Sequence, residues 1–408
     1  MAVPSYSAEP IERSWYKNMI NKSYADLLQT VPEPECEVDW DAVSRTATGE
    51  FLSLMENTQQ NPEYHSEGNV LNHTKMVVAN LVSDAEYWEM SKRDRTVLYL
   101  AALLHDIGKI RCTRLIDGKL SSPNHAKRGS VMARAFLWKT LGMSGNDDLR
   151  SIREAVSMLI RYHSFPPFAI KDENPELKLL KIASLSELTK DFSVRKLCLL
   201  ERADAMGRVG SGTQDYLERT EYCRMLAEDL GVLDSQYEFA DDFTKRSYFL
   251  KKSAWRDDKI YNSSFGEVVL MSGLAGTGKD TWIEKNLCGM PIISLDDIRE
   301  EFGISPTGNQ GEVARIAHER SKVYLRAKQP FVFNATSITS DIRGMQIALF
   351  EQYGASVRTV FLETEWNENL RRNAERKRNV PEHAIEKMLS KLEIPERFES
   401  EKVDWICV

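Results

Sequence analysis

The sequence predicts a multidomain chain in which an all-α N-terminal half precedes a C-terminal α/β domain with a parallel sheet. Three observations carry that prediction. A length of 408 residues is too great for one hydrophobic core and corresponds to about two or three domains. From about residue 41 to residue 208, apolar side chains recur at three- and four-residue steps with no alternating stretch of weight. Beyond residue 265, short β-branched runs appear, and the first leads through a glycine-rich loop into a helical segment. The expected division is an N-terminal extension over 1–40, a helical domain over 41–230, a connector over 231–262 and the α/β domain over 263–408.

The composition, 42% hydrophobic and 28% charged, is that of a soluble globular protein. No run approaches the roughly 18 apolar residues of a membrane span, so no membrane association is expected. The first ten residues lack the basic and apolar regions of a signal peptide. Six scattered cysteines with no C-x-x-C pair fit reduced thiols in a cytoplasmic protein. A formal net charge of −7 argues against non-specific coating of nucleic acid and leaves room for a local basic groove.

In the extension, which holds four prolines, residues 11–28 can form a helix. Further helices are expected over 42–54, 70–81, 94–105, 128–141, 147–162, 177–188, 193–208 and 214–230. Five of the seven histidines lie in this half: His65, His73, His105, His125 and His163. His105 ends the apolar run 97–104 and is followed by Asp106-Ile107-Gly108-Lys109. Adjacent residues on a helix point about 100° apart, so a His-Asp pair at its end can grip a metal from two sides. A lone histidine is ordinarily a surface or hydrogen-bonded core residue; five of them interleaved with Asp106 and Asp204 are harder to explain that way. Imidazole with carboxylate suits Mn, Fe, Ni, Co or Zn rather than Ca.

On these residues the N-terminal half resembles the HD-domain phosphohydrolase superfamily, whose ligands run His, His-Asp and a distant Asp, with further histidines between them in dinuclear members. The stretch from Tyr64-His65 to His73-Thr74 is similar to the opening of the HD domain of some tRNA nucleotidyltransferases. The resemblance implies His73 as first ligand, His105 and Asp106 as the signature pair and Asp204 as the last, with His125 and His163 completing a site for one or two metal ions. It covers roughly residues 60–210 and implies hydrolysis of a phosphate ester. Lys109 is placed to neutralise phosphate charge, Lys127 or Arg128 could assist or be solvated surface, and His65 is assigned to substrate.

Residues 231–262 read as a polar, charged connector with interspersed aromatics. A buried strand is expected at 267–271, followed by Gly273-Leu-Ala-Gly276-Thr277-Gly278-Lys279-Asp280-Thr281 and a helix. Strand, loop and helix make a P-loop, whose backbone N–H groups ring nucleotide phosphates while Lys279 reaches the β/γ oxygens. Asp280 stands where Ser or Thr usually holds Mg²⁺, with Thr281 one step on as the alternative ligand. A second strand over 290–297 is expected to end in Asp296 and Asp297, a third spans 329–333 and a fourth 357–362. The basic segment 370–378 reads as a lid over the transferring phosphate rather than a solvated face.

These marks resemble the polynucleotide 5′-kinase family over roughly residues 265–405. The resemblance implies that Asp296 takes the proton of an acceptor 5′-hydroxyl and that Arg299 holds the neighbouring phosphate. Arg372 and Arg376, with Val380-Pro381 after them, reproduce the family's lid. Asn334-Ala-Thr-Ser337 departs at both ends from an Asp-Ala-Thr-Asn motif of related kinases, so no catalytic role is carried onto it. An acceptor base is required when a hydroxyl rather than water receives the γ-phosphate, and this tips the site from ATPase toward kinase using ATP or another NTP with Mg²⁺.

The whole is similar to the bacterial HD-Pnk end-healing enzymes, which implies a bifunctional enzyme acting on RNA or DNA ends. A ligase would need Lys-x-Asp-Gly; the only Asp-Gly pair is Asp117-Gly118, with Leu115 in place of the lysine, so a separate RNA ligase is the expected partner. The competing readings are a nucleotide-salvage enzyme and a second-messenger phosphohydrolase regulated by a P-loop module.

Overall fold

The computed structural model describes residues 24–252, 255–305, 308–376 and 378–408. The predicted helix over 11–28 is therefore seen only in its last turn, Tyr24–Leu28; residues 11–23 lie outside the described residues. The described chain forms two compact units that do not follow sequence order. One comprises residues up to Met143 together with Val156–Ser164 and Leu199–Glu218; the other comprises Ser144–Ala155, Phe165–Cys198 and Arg219–Val408. The sequence boundaries at 230/231 and 262/263 both fall inside the second unit. No helix among the described residues is long and apolar enough to cross a membrane.

The first unit is helical. Its central helix, Lys92–Leu104, begins at Ser91, whose Oγ accepts from Asp94 N at 3.1 Å. From Thr96 to Leu104 every residue is buried, so this helix runs through the core rather than along it and delivers His105 to the interior. Helix Val70–Ser83, capped by Asn69, packs against it and buries His73 on its inner face. The segment predicted as one helix over 128–141 is an α-helix, His125–Ala135, that continues as a π-helical turn, Phe136–Thr140. A small hairpin was not foreseen: β1 (Arg114–Ile116) pairs antiparallel with β2 (Lys119–Ser121). Its turn is Asp117-Gly118, with φ of 50° and 76°, the two-residue connection that favours positive φ at both positions.

The second unit contains a five-stranded sheet in the order β4-β5-β3-β6-β7, parallel throughout. The strands are β3 (Glu267–Ser272), β4 (Ile292–Ser294), β5 (Val332–Asn334), β6 (Ser356–Glu363) and β7 (Lys402–Cys407). Side chains alternate across β3: Val268 and Leu270 pack with Val313, Ile316, Phe350 and Phe333 on one face, Val269 and Met271 with Ile283, Val360 and Leu362 on the other. Both faces are thus covered by apolar side chains, as a parallel sheet requires. The edge strand β7 went unread in the sequence, as did the helices Gln310–Arg326, Ser340–Gln352 and Glu382–Leu389.

One expected strand is corrected. The run over 290–297 is a strand only at Ile292–Ser294; Leu295–Glu301 is a helix, so Asp296, Asp297 and Arg299 sit on its first turns and not at a strand end. Ser294 explains the switch, since its Oγ accepts from Asp297 N at 3.2 Å and caps the helix. The basic segment expected as a helix over 370–378 belongs to a helix that starts and ends earlier, Trp366–Glu375, leaving Arg376 and Arg378 beyond its end.

Candidate metal centre and nucleotide site

Six side chains converge in the first unit, and the sequence had singled out all six. They form two groups of three potential ligands, His73, His105 and Asp204 in one and Asp106, His125 and His163 in the other. His73 Nε2 lies 2.8 Å from Asp204 Oδ1 and 3.6 Å from Asp106 Oδ2. His105 Nε2 is 3.3 Å from Asp106 Oδ2, His125 Nε2 is 3.5 Å from Asp106 Oδ1, and the Nε2 atoms of His125 and His163 are 3.3 Å apart. Asp106 therefore reaches both groups.

The backbone sets the tautomers. His105 Nδ1 donates to Ala102 O at 2.8 Å, His125 Nδ1 to Ser122 O at 3.0 Å and His163 Nδ1 to Ile160 O at 2.8 Å. In each case the acceptor is three residues back, so the local turn fixes the ring and leaves Nε2 inward as an acceptor. His73 Nδ1 faces Gly207 O at 3.1 Å and Glu67 Oε1 at 3.2 Å. Gly108 supplies the close approach that seats His125 beside Asp106: a Cβ there would lie 2.0 Å from His125 O and 2.6 Å from Gly129 N.

The residues fit a bound cation. His105 Nε2 and both carboxylate oxygens of Asp106 are buried and find no hydrogen-bond partner among the described residues. Each such orphan costs about 1–3 kcal/mol unless a ligand satisfies it. Lys109 Nζ lies 2.7 Å from Asp106 Oδ2, a charge contact without hydrogen-bond alignment, and donates instead to Gln60 Oε1 at 2.8 Å. Burial opposes charge at Asp106, but Lys109 and His105 outweigh it and hold the carboxyl well below its usual range. Burial also pushes His163 down to about 3 and lowers His125, keeping both rings neutral and able to ligate.

His65 lies outside these two groups and forms a third set of potential ligands with Glu67 and His73. Its Nδ1 is 2.7 Å from Glu67 Oε1, and its ring meets His73 edge to face at 5.0 Å. Glu67 was missed in the sequence. It also accepts from Val209 N at 3.0 Å, so one carboxylate ties His65, His73 and the segment after Asp204 together. Arg208, also unforeseen, donates to Asp204 Oδ2 at 2.7 Å and stacks on Tyr216. Neither residue forms part of a recognisable spacing. Lys127 and Arg128 follow His125 on its helix and are half-buried.

In the second unit the loop after β3 is built as expected. Gly273 has φ 141°, and a Cβ there would lie 2.5 Å from Leu362 O, so β6 approaches too closely for any other residue. Thr277 Oγ1 donates to Leu274 O at 3.0 Å, closing the loop on itself around Gly276 and Gly278. Lys279 Nζ donates to Gly273 O at 3.1 Å and Leu274 O at 2.8 Å, and burial pulls it down to about 8. Thr281 is exposed on the following helix.

Around this loop stand the other predicted residues. Arg372 Nη1 lies 3.6 Å from where a Cβ on Gly278 would be, and its Nε donates to Glu368 Oε1 at 2.7 Å. Arg376 Nη2 donates to Asp280 Oδ2 at 3.3 Å. Asp296 pairs with Arg299, which also donates from Nε to Gln310 Oε1 at 2.9 Å. Past the helix Trp366–Glu375, Arg378 pairs with Asp297 and Glu300. Asn373 holds the turn after that helix, donating to Val380 O at 2.7 Å and accepting from Val380 N at 3.0 Å.

Two stretches of the chain match known families, and the first crosses the boundary between the units. Residues 70–187 match the HD domain and residues 268–395 match the AAA domain. His65 and Asp204 fall outside the first match; Lys279, Asp296 and Arg376 fall within the second. No curated protein matches the chain. The chain thus carries a helical HD domain of phosphohydrolase type with a candidate metal site, followed by a P-loop domain for a nucleoside triphosphate.

Proposed function

We propose that the chain heals broken RNA ends. The HD domain hydrolyses a 2′,3′-cyclic phosphate, 2′-phosphate or 3′-phosphate, and the P-loop domain transfers the NTP γ-phosphate to a polynucleotide 5′-OH. Many ribonucleases leave just these two blocks, so the pairing of a metal phosphoesterase with a 5′-hydroxyl kinase in one chain has a single economical purpose. The observation that carries the reading is the Asp296–Arg299 pair beside the loop, with Asp296 near enough to act electrostatically on Lys279. The pair suits an acceptor that brings a hydroxyl and a neighbouring phosphate together, the carboxylate meeting the one and the arginine the other.

In the kinase half, Asp296 accepts the proton of the 5′-hydroxyl as it attacks, and Arg299 holds the neighbouring acceptor phosphate. Lys279, Arg372 and Arg376 neutralise charge as the phosphoryl group moves in line. In the HD half, one ion would be held by His73, His105 and Asp204 and a second by His125 and His163, with Asp106 serving both. Such ions, of the Mn, Fe, Ni, Co or Zn class, supply Lewis acidity for the phosphoryl oxygens and an activated water. Lys109 offers its ammonium to the phosphate, and His65, oriented by Glu67, contacts the substrate. The partners under this reading are RNA or DNA ends and a separate RNA ligase.

The test is to incubate RNA bearing a 5′-OH and a 3′-phosphate with ATP and metal. Both ends are expected to change. Asp296→Ala should abolish only 5′ phosphorylation and Asp106→Ala only removal of the 3′ block. Unchanged RNA would sink the proposal, and nucleotide binding without phosphorylation would return the chain to a regulated phosphohydrolase.

A further inference from the structure

The nucleotide site departs from the usual P-loop arrangement at two positions, and the two are in contact. Ordinarily Ser or Thr follows the loop lysine, and an aspartate elsewhere in the fold completes the Mg²⁺ side of the site. Here a carboxylate, Asp280, follows Lys279, and an amide, Asn334, ends the strand next to β3. Asn334 Nδ2 donates to Asp280 Oδ1 at 2.7 Å. The contact follows from topology: β5 pairs with β3 at Leu270 and Phe333, so the residue after Phe333 emerges beside the loop.

We propose that Asp280 and Asn334 are a transposed Mg²⁺ pair, in which the carboxylate has moved from the strand end to the loop and the amide holds it in place. Charge supports this. An aspartate added beside the nucleotide phosphates, with nothing removed, would repel them; one carboxylate exchanged for another leaves the local charge unchanged. The chemistry of the donors fits as well, since Mg²⁺ takes hard oxygen ligands and keeps much of its water. The Asp280 side chain is 68% exposed, open to a hydrated ion, while Asn334 on one oxygen and Arg376 on the other fix its direction. Asn334 is thus a positioning residue for Asp280. The inference rests on the nucleotide site alone and not on the identity of the acceptor.

The experiment measures ATP affinity by calorimetry as Mg²⁺ is titrated, using the full chain and no RNA. D280N is expected to weaken the Mg²⁺-dependent part of binding about tenfold or more, as loss of a ligand or its support does. The exchanged chain, D280N/N334D, is expected to recover to within about threefold of the parent. If the exchanged chain melts early, D280S/N334D provides the same comparison with the usual hydroxyl at the loop. Binding in D280N equal to the parent, or exchanged chains no better than D280N, would overturn the proposal. Because no acceptor is present, either result leaves the 5′-OH reading to its own test.

Discussion

Arg299 and Asp296 are held together one helical turn apart, Nη1 to Oδ1 at 2.5 Å. The proposed base and the proposed acceptor-phosphate arginine are thus each other's partners before any acceptor arrives. An incoming 5′ end can part them, its phosphate taking the arginine and its hydroxyl the carboxylate. Asp296→Asn is expected to lower kcat for 5′ phosphorylation about 100- to 10,000-fold with ATP affinity unchanged. Arg299→Ala should raise the KM for the oligonucleotide instead. Steady-state kinetics on a short 5′-OH RNA separates the two effects, and equal losses in ATP affinity would show the pair to be merely structural.

Glu67 belongs to a third set of potential ligands with His65 and His73, and its contacts place it to orient those two rings. Its carboxylate faces Nδ1 of both His65 and His73, the latter with Nε2 turned toward Asp204. Glu67→Ala is expected to weaken metal affinity of the HD domain about 10- to 100-fold while the six ligands remain. Competition with a fluorescent chelator reads this directly. A variant that holds metal as tightly as the parent would remove Glu67 from the site.

Lys279 gives the nucleotide site a pH dependence with a definite sign. Burial pulls the free lysine down to about 8, against the opposing pull of Asp280. Nucleotide phosphates favour the charged form, so the pKa is higher in the complex. Above pH 8 binding therefore takes up a proton, and ATP affinity falls as pH rises, by at most about tenfold per unit. Calorimetry at alkaline pH in two buffers of different ionisation enthalpy should show net uptake. Affinity that is flat across this range would contradict the assignment.

The second unit contains a fully buried ion cluster whose loss should be expensive. Arg153 donates to Glu154 Oε1 at 2.7 Å and to Glu363 Oε2 at 2.6 Å, all three side chains being 0% exposed. Glu363 ends β6, one residue beyond the Leu362 carbonyl that presses on Gly273. Arg153→Met leaves carboxylates buried without their partner and is expected to cost about 3–5 kcal/mol. Urea unfolding followed by tryptophan fluorescence would register it. A loss under about 1 kcal/mol would mean that water or a rearrangement replaces the arginine.

By itself the sequence determined whatever is local. The glycine loop from Gly273 to Lys279 needs only consecutive residues, and the His105-Asp106 pair needs only the end of an apolar helix, so both could be read in advance. The remaining metal-ligand candidates were legible because histidine is scarce and a family pattern fixes their order. The Asp117-Gly118 hairpin was also local, but its three-residue strands are too short to show alternation. Tertiary structure decided the rest. That Asp106 reaches both ligand groups depends on Gly108 admitting the helix of His125, a contact between segments with no shared periodicity. Glu67 carries no signal in the chain, and Asn334 shows only as a departure from a kinase motif, because a single carboxylate or amide becomes meaningful only when folding sets it against His73 or Asp280. Likewise β7, at the sheet edge, is defined by its pairing with β6 rather than by its own six residues. Periodicity reports the face a segment buries; it says nothing of which distant side chain that face will meet.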